Sequence, residues 1–179
     1  MRAVLDANVL YPTVLREILI DVAAAGLYQP LWSLRILDEW RHVATRQGGD
    51  IAAIAGAEIA LLTDRFPKGM VSEQGNRTAG LDLPDPADAH VIEAALNGPA
   101  DLIVTANLRD FPRAALAAVG LRAVHPDVFL TDLWAHDPDP VAAAIRATHA
   151  KAERLGGPME LALMMKRAQL PRLGRAIRR

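Results

Sequence analysis

The chain has no cysteine. That excludes disulfides and thiolate metal sites, removes the cysteine nucleophile, and leaves a cytoplasmic protein as the default expectation. No segment reaches the roughly 18 to 20 apolar residues of a membrane span, so no membrane partner is expected. Asp6 and Glu17 interrupt any apolar core long enough for a secretory signal. No glycine-rich phosphate loop of the G-x-G-x-x-G or Walker type occurs, which argues against a nucleotide-binding domain. A response-regulator receiver needs an acidic pair after its first strand and a lysine after a late one. Here Asp6 stands alone, and the lysines are Lys68, Lys151 and Lys166. No motif supports a serine–histidine triad. Acid is also missing after Glu160, although Lys166, Arg167, Arg172, Arg175, Arg178 and Arg179 follow. This tail reads either as a solvated C-terminus or as a contact for RNA or an acidic partner.

What is present is ordinary in bulk. The chain has 179 residues, 51% hydrophobic and 23% charged, with a formal net charge of −1. That length supports one substantial core with a small addition. The near-neutral balance does not by itself announce a nucleic-acid binder.

Apolar runs and helical stripes alternate along the chain. Ala3-Val4-Leu5 is a short strand ending at Asp6. Pro12 suits a helix start, and Leu15, Ile18, Leu19 and Val22 form one helical face closed by Gly26. Leu27 to Leu31 is a second strand weakened by Gln29 and Pro30. Ser33 caps a helix to about Gln47, and a third helix spans Ile51 to Phe66. A loop from Pro67 to Pro84, with a short strand near Met70-Val71, leads to a helix from Asp85-Pro86 to Asn97. Leu102 to Thr105 is the clearest strand. Arg113 to Val119 is a short helix and Leu121 to Val124 a last strand. The alternation predicts an α/β fold, a mainly parallel central sheet flanked by helices. The expected division is a domain over 1–133 and a helical C-terminal extension over 134–179, joined by a linker at His136-Asp137-Pro138-Asp139-Pro140.

Four acids stand where apolar segments end or helices begin: Asp6, Glu39, Asp88 and Asp110. Parallel sheets bind ligands beyond the carboxyl ends of their strands. Asp6 follows the first strand, and Asn107 and Asp110 follow the strand ending at Thr105. Glu39 falls on an expected inward stripe with Ile36, Trp40 and Val43, and Asp88 on one with Val91, Ile92 and Ala95. Acids on core-facing positions need a partner. Carboxylates held together raise one another's pKa unless a cation neutralises them, and Mg²⁺ or Mn²⁺ is the usual ion for oxygen ligands. Each acid also has a plain structural reading. Asp6 and Asp110 suit turns, Asp85 and Asp88 suit a capping box before a helix, and Glu39 suits an ion pair across the core. If the fold gathers the four, the chain is a metal-dependent enzyme acting on phosphate esters.

Four segments resemble, in order, the motifs of PIN domains. They are Leu5-Asp6-Ala7-Asn8-Val9-Leu10, then Ser33-Leu34-Arg35-Ile36-Leu37-Asp38-Glu39. The third is Leu83-Pro84-Asp85-Pro86-Ala87-Asp88-Ala89-His90-Val91, and the fourth Ile103-Val104-Thr105-Ala106-Asn107-Leu108-Arg109-Asp110-Phe111-Pro112. The resemblance covers about residues 1–133. The longer bacterial PIN proteins of VapC toxin type also carry a segment like His125-Pro126-Asp127-Val128-Phe129-Leu130 and extra C-terminal helices. The resemblance implies an Mg²⁺- or Mn²⁺-dependent ribonuclease, the toxin of a type II toxin–antitoxin pair, with RNA as substrate, an antitoxin protein as partner and a homodimer as a common state. It implies catalytic roles for Asp6, Glu39, Asp88 and Asp110, metal ligation by Asp6, Glu39 and Asp88 with Asp85 as a further ligand or only a cap, and supporting roles for Asn8, Thr105 and Asn107. Lys166, Arg167, Arg172 and Arg175 are the expected contacts for RNA or the partner. The chain departs from the pattern at Asn107, where many PIN domains place an aspartate. Either Asn107 or Asp110 completes the site, and a non-catalytic PIN-like binding module is the rival reading.

Overall fold

Four short apolar segments build one sheet. They are β1 (Arg2–Leu5), β2 (Gln29–Leu31), β3 (Leu102–Val104) and β4 (Ala123–Val124). The computed structural model describes residues 1–178. Arg179, the end of the expected basic tail, lies outside the described residues. All three pairings are parallel and the strand order is β2-β1-β3-β4. Ala3, Val4, Leu5, Ile103 and Val104 have no exposed surface. This is the continuous apolar pattern of a sheet covered on both faces. Pro30 is accommodated because β2 is an edge strand, where a missing N–H costs no ladder bond on the open side.

Helices fill the crossovers. Between β1 and β2 lie α1 (Ala7–Leu10) and α2 (Thr13–Ala24). Between β2 and β3 lie α3 (Leu34–Thr45), α4 (Gly49–Arg65), a 3₁₀ turn (Pro86–Asp88) and α5 (Ala89–Asn97). A second 3₁₀ turn (Leu108–Asp110) and α6 (Arg113–Ala118) precede β4. Ser33 caps α3 as expected, its Oγ accepting from the Ile36 amide at 3.3 Å. The strand expected near Met70-Val71 is reduced to an isolated bridge between Met70 and Trp32.

After β4 the chain continues as α7 (Pro126–His136), α8 (Pro138–Gly156), α9 (Leu161–Arg167) and α10 (Pro171–Ala176). The segment expected as a linker is instead a tight junction. Asp137 alone separates α7 from α8, and Pro138 opens α8 from its first turn, where a proline lacks no needed N–H. Residue 133, the expected boundary, falls inside α7. Val141, Ala144 and Ile145 of α8 and Met164, Met165, Leu170 and Leu173 beyond it are buried in the same apolar cluster as β1 and β3. Asp127 explains the hold on the tail. Its buried carboxylate accepts from the Arg172 amide at 3.1 and 3.0 Å and from the Leu173 amide at 3.0 Å, which caps the start of α10. The expected inward stripe of α3 is also shifted. Ile36, Leu37, Trp40 and Ala44 are buried, while Val43 is only partly covered.

The chain leaves β1 towards β2 on one side and later returns to β3 and β4 on the other. The crossover directions therefore diverge between β1 and β3. In parallel α/β sheets the crevice at the carboxyl ends of two such strands is the preferred place for a site.

Candidate active site

Asp6 occupies that crevice. It ends β1 and opens α1, and its backbone N–H donates to the Val104 carbonyl at 3.1 Å, which fixes it against β3. Its side chain is almost fully buried. The Asp6 Oδ2 accepts from Asn8 Nδ2 at 2.6 Å and from Thr105 Oγ1 at 2.7 Å. Asn8 is itself held across the crevice. Its Nδ2 also donates to Thr105 Oγ1 at 3.0 Å, and its Oδ1 accepts from the Ala106 amide at 2.9 Å. Thr105 Oγ1 accepts from the Asn107 amide at 3.1 Å. The first and fourth motifs are thus sewn together by one polar network around a single carboxylate. Burial raises the Asp6 pKa, the Thr105 hydrogen bond and the Ala7 amide oppose the rise, and the Glu39 charge adds to it.

Glu39 is half-exposed at the edge of the α3 stripe rather than turned into the core. It finds a partner on α5. His90 Nε2 lies 2.8 Å from Glu39 Oε1, and His90 is buried with no hydrogen-bond partner on Nδ1. Arg35 ties the same helix to the neighbouring turn. Its Nε stands 3.7 Å from Glu39 Oε1 and its Nη2 donates to the Ala87 carbonyl at 3.2 Å. His90 was not singled out from sequence, although it stands two residues after Asp88 in the third motif. An isolated histidine among apolar residues carries no periodic signal of its own.

Asp85 caps the 3₁₀ turn, its Oδ1 accepting from the Ala87 amide at 2.8 Å. Its cap reading therefore holds. Asp88 makes no capping bond and is only partly covered, so it is not on the buried face with Val91, Ile92 and Ala95. Its pKa is pushed up to about 6 by burial first, then by the charges of Asp110, Asp85 and Asp6, with His90 opposing. Asp110 and Asn107 close the rim as a pair, Asn107 Nδ2 donating to Asp110 Oδ2. The amide that departs from the family pattern thus orients the acid three residues on.

On the carboxyl edge of the sheet, Asp6 is within electrostatic reach of Glu39, and Asp88 is within reach of Asp110, Asp85 and Asp6. They form a rim rather than a closed cage. Among the described residues, no three histidine, aspartate or glutamate side chains are gathered tightly enough to enclose an ion. Lys166, Arg167, Arg172 and Arg175 lie on α9 and α10, outside this rim, with exposed side chains.

The sequence matches known proteins. The family described as PIN domain matches residues 2–109. A Mycobacterium tuberculosis protein described as "Putative ribonuclease VapC50" is 49% identical over 45 residues, a stretch covering 25% of this chain and 27% of that protein. The chain thus matches about a quarter of that relative's length. No solved structure matches the chain. The family match spans more than half of the sequence, and the chain belongs to the PIN domain family.

Proposed function

We propose that the protein is a metal-dependent endoribonuclease that hydrolyses RNA phosphodiester bonds and acts as the toxin of a type II toxin–antitoxin pair. The observation that carries the reading is the carboxylate rim at the β1–β3 crevice, where the Asp88 carboxyl is pushed up to about 6 by burial and then by the charges of Asp110, Asp85 and Asp6. Such a set costs stability on its own and is neutralised by a hard cation. The donors fit Mg²⁺ or Mn²⁺ in kind, being carboxylate oxygens without a sulfur or a free histidine nitrogen pair. Asp6 and Asp88 would hold the ion, with Glu39 and Asp110 beside them and Asp85 kept to its cap. A bound ion supplies an activated water and charge neutralisation on the phosphate.

The chain's own groups do the positioning. Thr105 and Asn8 both donate to Asp6 Oδ2 and orient the carboxylate. His90 holds Glu39 towards the rim from a buried position, and Asn107 holds Asp110. The name of the tuberculosis relative supports ribonuclease activity, and its VapC designation matches the type that the sequence resembles. Asn107 favours the rival reading of a non-catalytic PIN-like module, because an amide brings no charge. Its bond to Asp110 weakens that objection, since the charge is present one turn further on.

Cleavage of RNA by the purified protein in Mg²⁺ or Mn²⁺ tests the proposal. EDTA and Asp6→Asn should each abolish it, the substitution keeping shape while removing charge. Equal cleavage by wild type and Asp6→Asn, after removal of contaminating nucleases, would favour the binding module.

A further inference from the structure

A rim of carboxylates repels a polyanion, so a nuclease of this kind must hold its substrate with cations placed nearby. The β3–β4 connection supplies them. A cleft of about 580 Å³ opens on the outer side of β4, lined by Leu108, Phe111, Arg113, Ala117, Leu121, Arg122, Ala123 and Val124. That volume lies within the roughly 300–1,000 Å³ typical of small-molecule sites. Its floor is apolar, and Leu108 keeps 44% of its surface exposed there. Its walls are Arg113 and Arg122, both exposed, and among the described residues neither is in an ion pair. Unpaired arginines beside an apolar floor match a nucleotide, whose phosphate is anionic and whose base is flat and apolar on its faces.

Two further facts join this cleft to the site. Leu108 and Asp110 belong to the same 3₁₀ turn, so the floor of the cleft and the acid rim are separated along the turn by roughly 4 Å of rise. On the far flank His125 directly follows β4; burial lowers its pKa, Asp127 opposes this, and the charge of Arg172 at the start of α10 adds to the lowering. Positive charge is therefore present on α6, at the start of β4 and at the start of α10.

We propose that this cleft is the binding track that delivers single-stranded RNA to the carboxylate rim, with Arg113 and Arg122 on the phosphates and an unstacked base on the Leu108–Leu121 floor. The inference rests on the ribonuclease reading above. A duplex is excluded as the ligand because its bases are stacked inside and present no face to an apolar floor.

The test uses the full chain and a fluorescein-labelled, fully 2′-O-methylated single-stranded 10-mer, followed by anisotropy in Mg²⁺ at several salt concentrations. Arg113→Gln/Arg122→Gln should weaken binding on the order of tenfold and flatten the log–log salt dependence by about 1.4, two contacts at roughly 0.7 each. Ala117→Trp, which fills the cleft and keeps both charges, should weaken binding without changing that slope. Arg146→Gln/Arg154→Gln removes the same charge from exposed positions on α8 and should bind like wild type. The blunt-ended duplex of the same sequence should bind wild type more weakly than the single strand. Single-strand affinity and salt slope unchanged in both cleft variants would overturn the inference, as would equal losses in the α8 control or a duplex bound as tightly as the single strand. A separate assay keeps the two readings apart. If wild type fails to hydrolyse bis(p-nitrophenyl) phosphate and RNA in Mg²⁺ or Mn²⁺, the enzymatic proposal fails, whatever the cleft binds.

Discussion

Removing one acid from the rim should make the metal-free protein more stable, not less. Asp88 is the group to change. Its carboxyl is pushed from an ordinary 3.8 up to about 6 by burial and by Asp110, Asp85 and Asp6. An acid whose folded pKa lies above its unfolded value binds its proton more tightly in the folded chain. Stability is therefore lost as pH rises through the window from about 4 to about 6, and the penalty is complete above it. At full weight the rise corresponds to roughly 3 kcal/mol. Asp88 is only partly covered, however, and solvent screening cuts the cost to about 1 kcal/mol. For a chain of this length that is a Tm change of roughly 2–4 °C.

The assay is thermal and urea denaturation in EDTA between pH 4.5 and 7.5, comparing wild type with Asp88→Asn. The variant should gain about 1 kcal/mol at pH 7 relative to wild type, and little at pH 4.5, where the wild-type carboxyl is already neutral in the fold. Asp110→Asn should recover part of the same gain, because Asp110 is the largest of the charges acting on Asp88. Added Mg²⁺ should reverse the order, raising the wild-type Tm and leaving Asp88→Asn nearly unmoved. The reasoning collapses if Asp88→Asn is destabilised at pH 7, or if its pH dependence matches that of wild type. Either result would mean that the acids do not press on one another and need no cation.

Two further outcomes follow from the geometry. In metal titrations Asp110→Asn should bind Mn²⁺ much more weakly, whereas Asn107→Asp should bind it at least as well as wild type while losing stability in EDTA, where it sets a carboxylate against Asp110; a silent Asp110→Asn would instead make Asn107 the group that completes the rim. Cutting the tail loose should damage the fold in proportion to what is removed: Asp127→Ala should cost about 1–2 kcal/mol and speed hydrogen exchange at the Arg172 and Leu173 amides, and deletion after Leu163, which removes buried Met164, Met165, Leu170 and Leu173 at roughly 1.5–3 kcal/mol each, should abolish the cooperative circular-dichroism transition.

What could be read from sequence was what local chemistry decides. The strands at Ala3–Leu5 and Leu102–Val104 are apolar runs that only a covered sheet explains, and Ser33 announces its helix by a hydroxyl that any N-terminus needs. Asp6 and Thr105 meet at one sheet edge because strand ends in a parallel sheet share it, whatever the side chains do there. The errors came where a residue's local signal has two physical outcomes. Proline breaks helices, so Pro138 and Pro140 read as a linker, yet the first turn of a helix tolerates proline, and α8 begins there. A run of positive charge reads as a solvated tail, yet Met164 and Met165 just before it and Leu170 and Leu173 within it are taken up by the core while the charged side chains stay outside. Glu39 at three residues from Ile36 lies at the border of a helical face, and a shift of the buried stripe towards Leu37 and Ala44 left it half-exposed, where His90 could reach it. Contacts such as Glu39–His90 and Asp127–Arg172 join elements far apart in the chain and follow no period. Periodicity reports which face an element buries, not which neighbour it buries that face against. The identity of a site's partners is therefore the part of the molecule that only the assembled fold reveals.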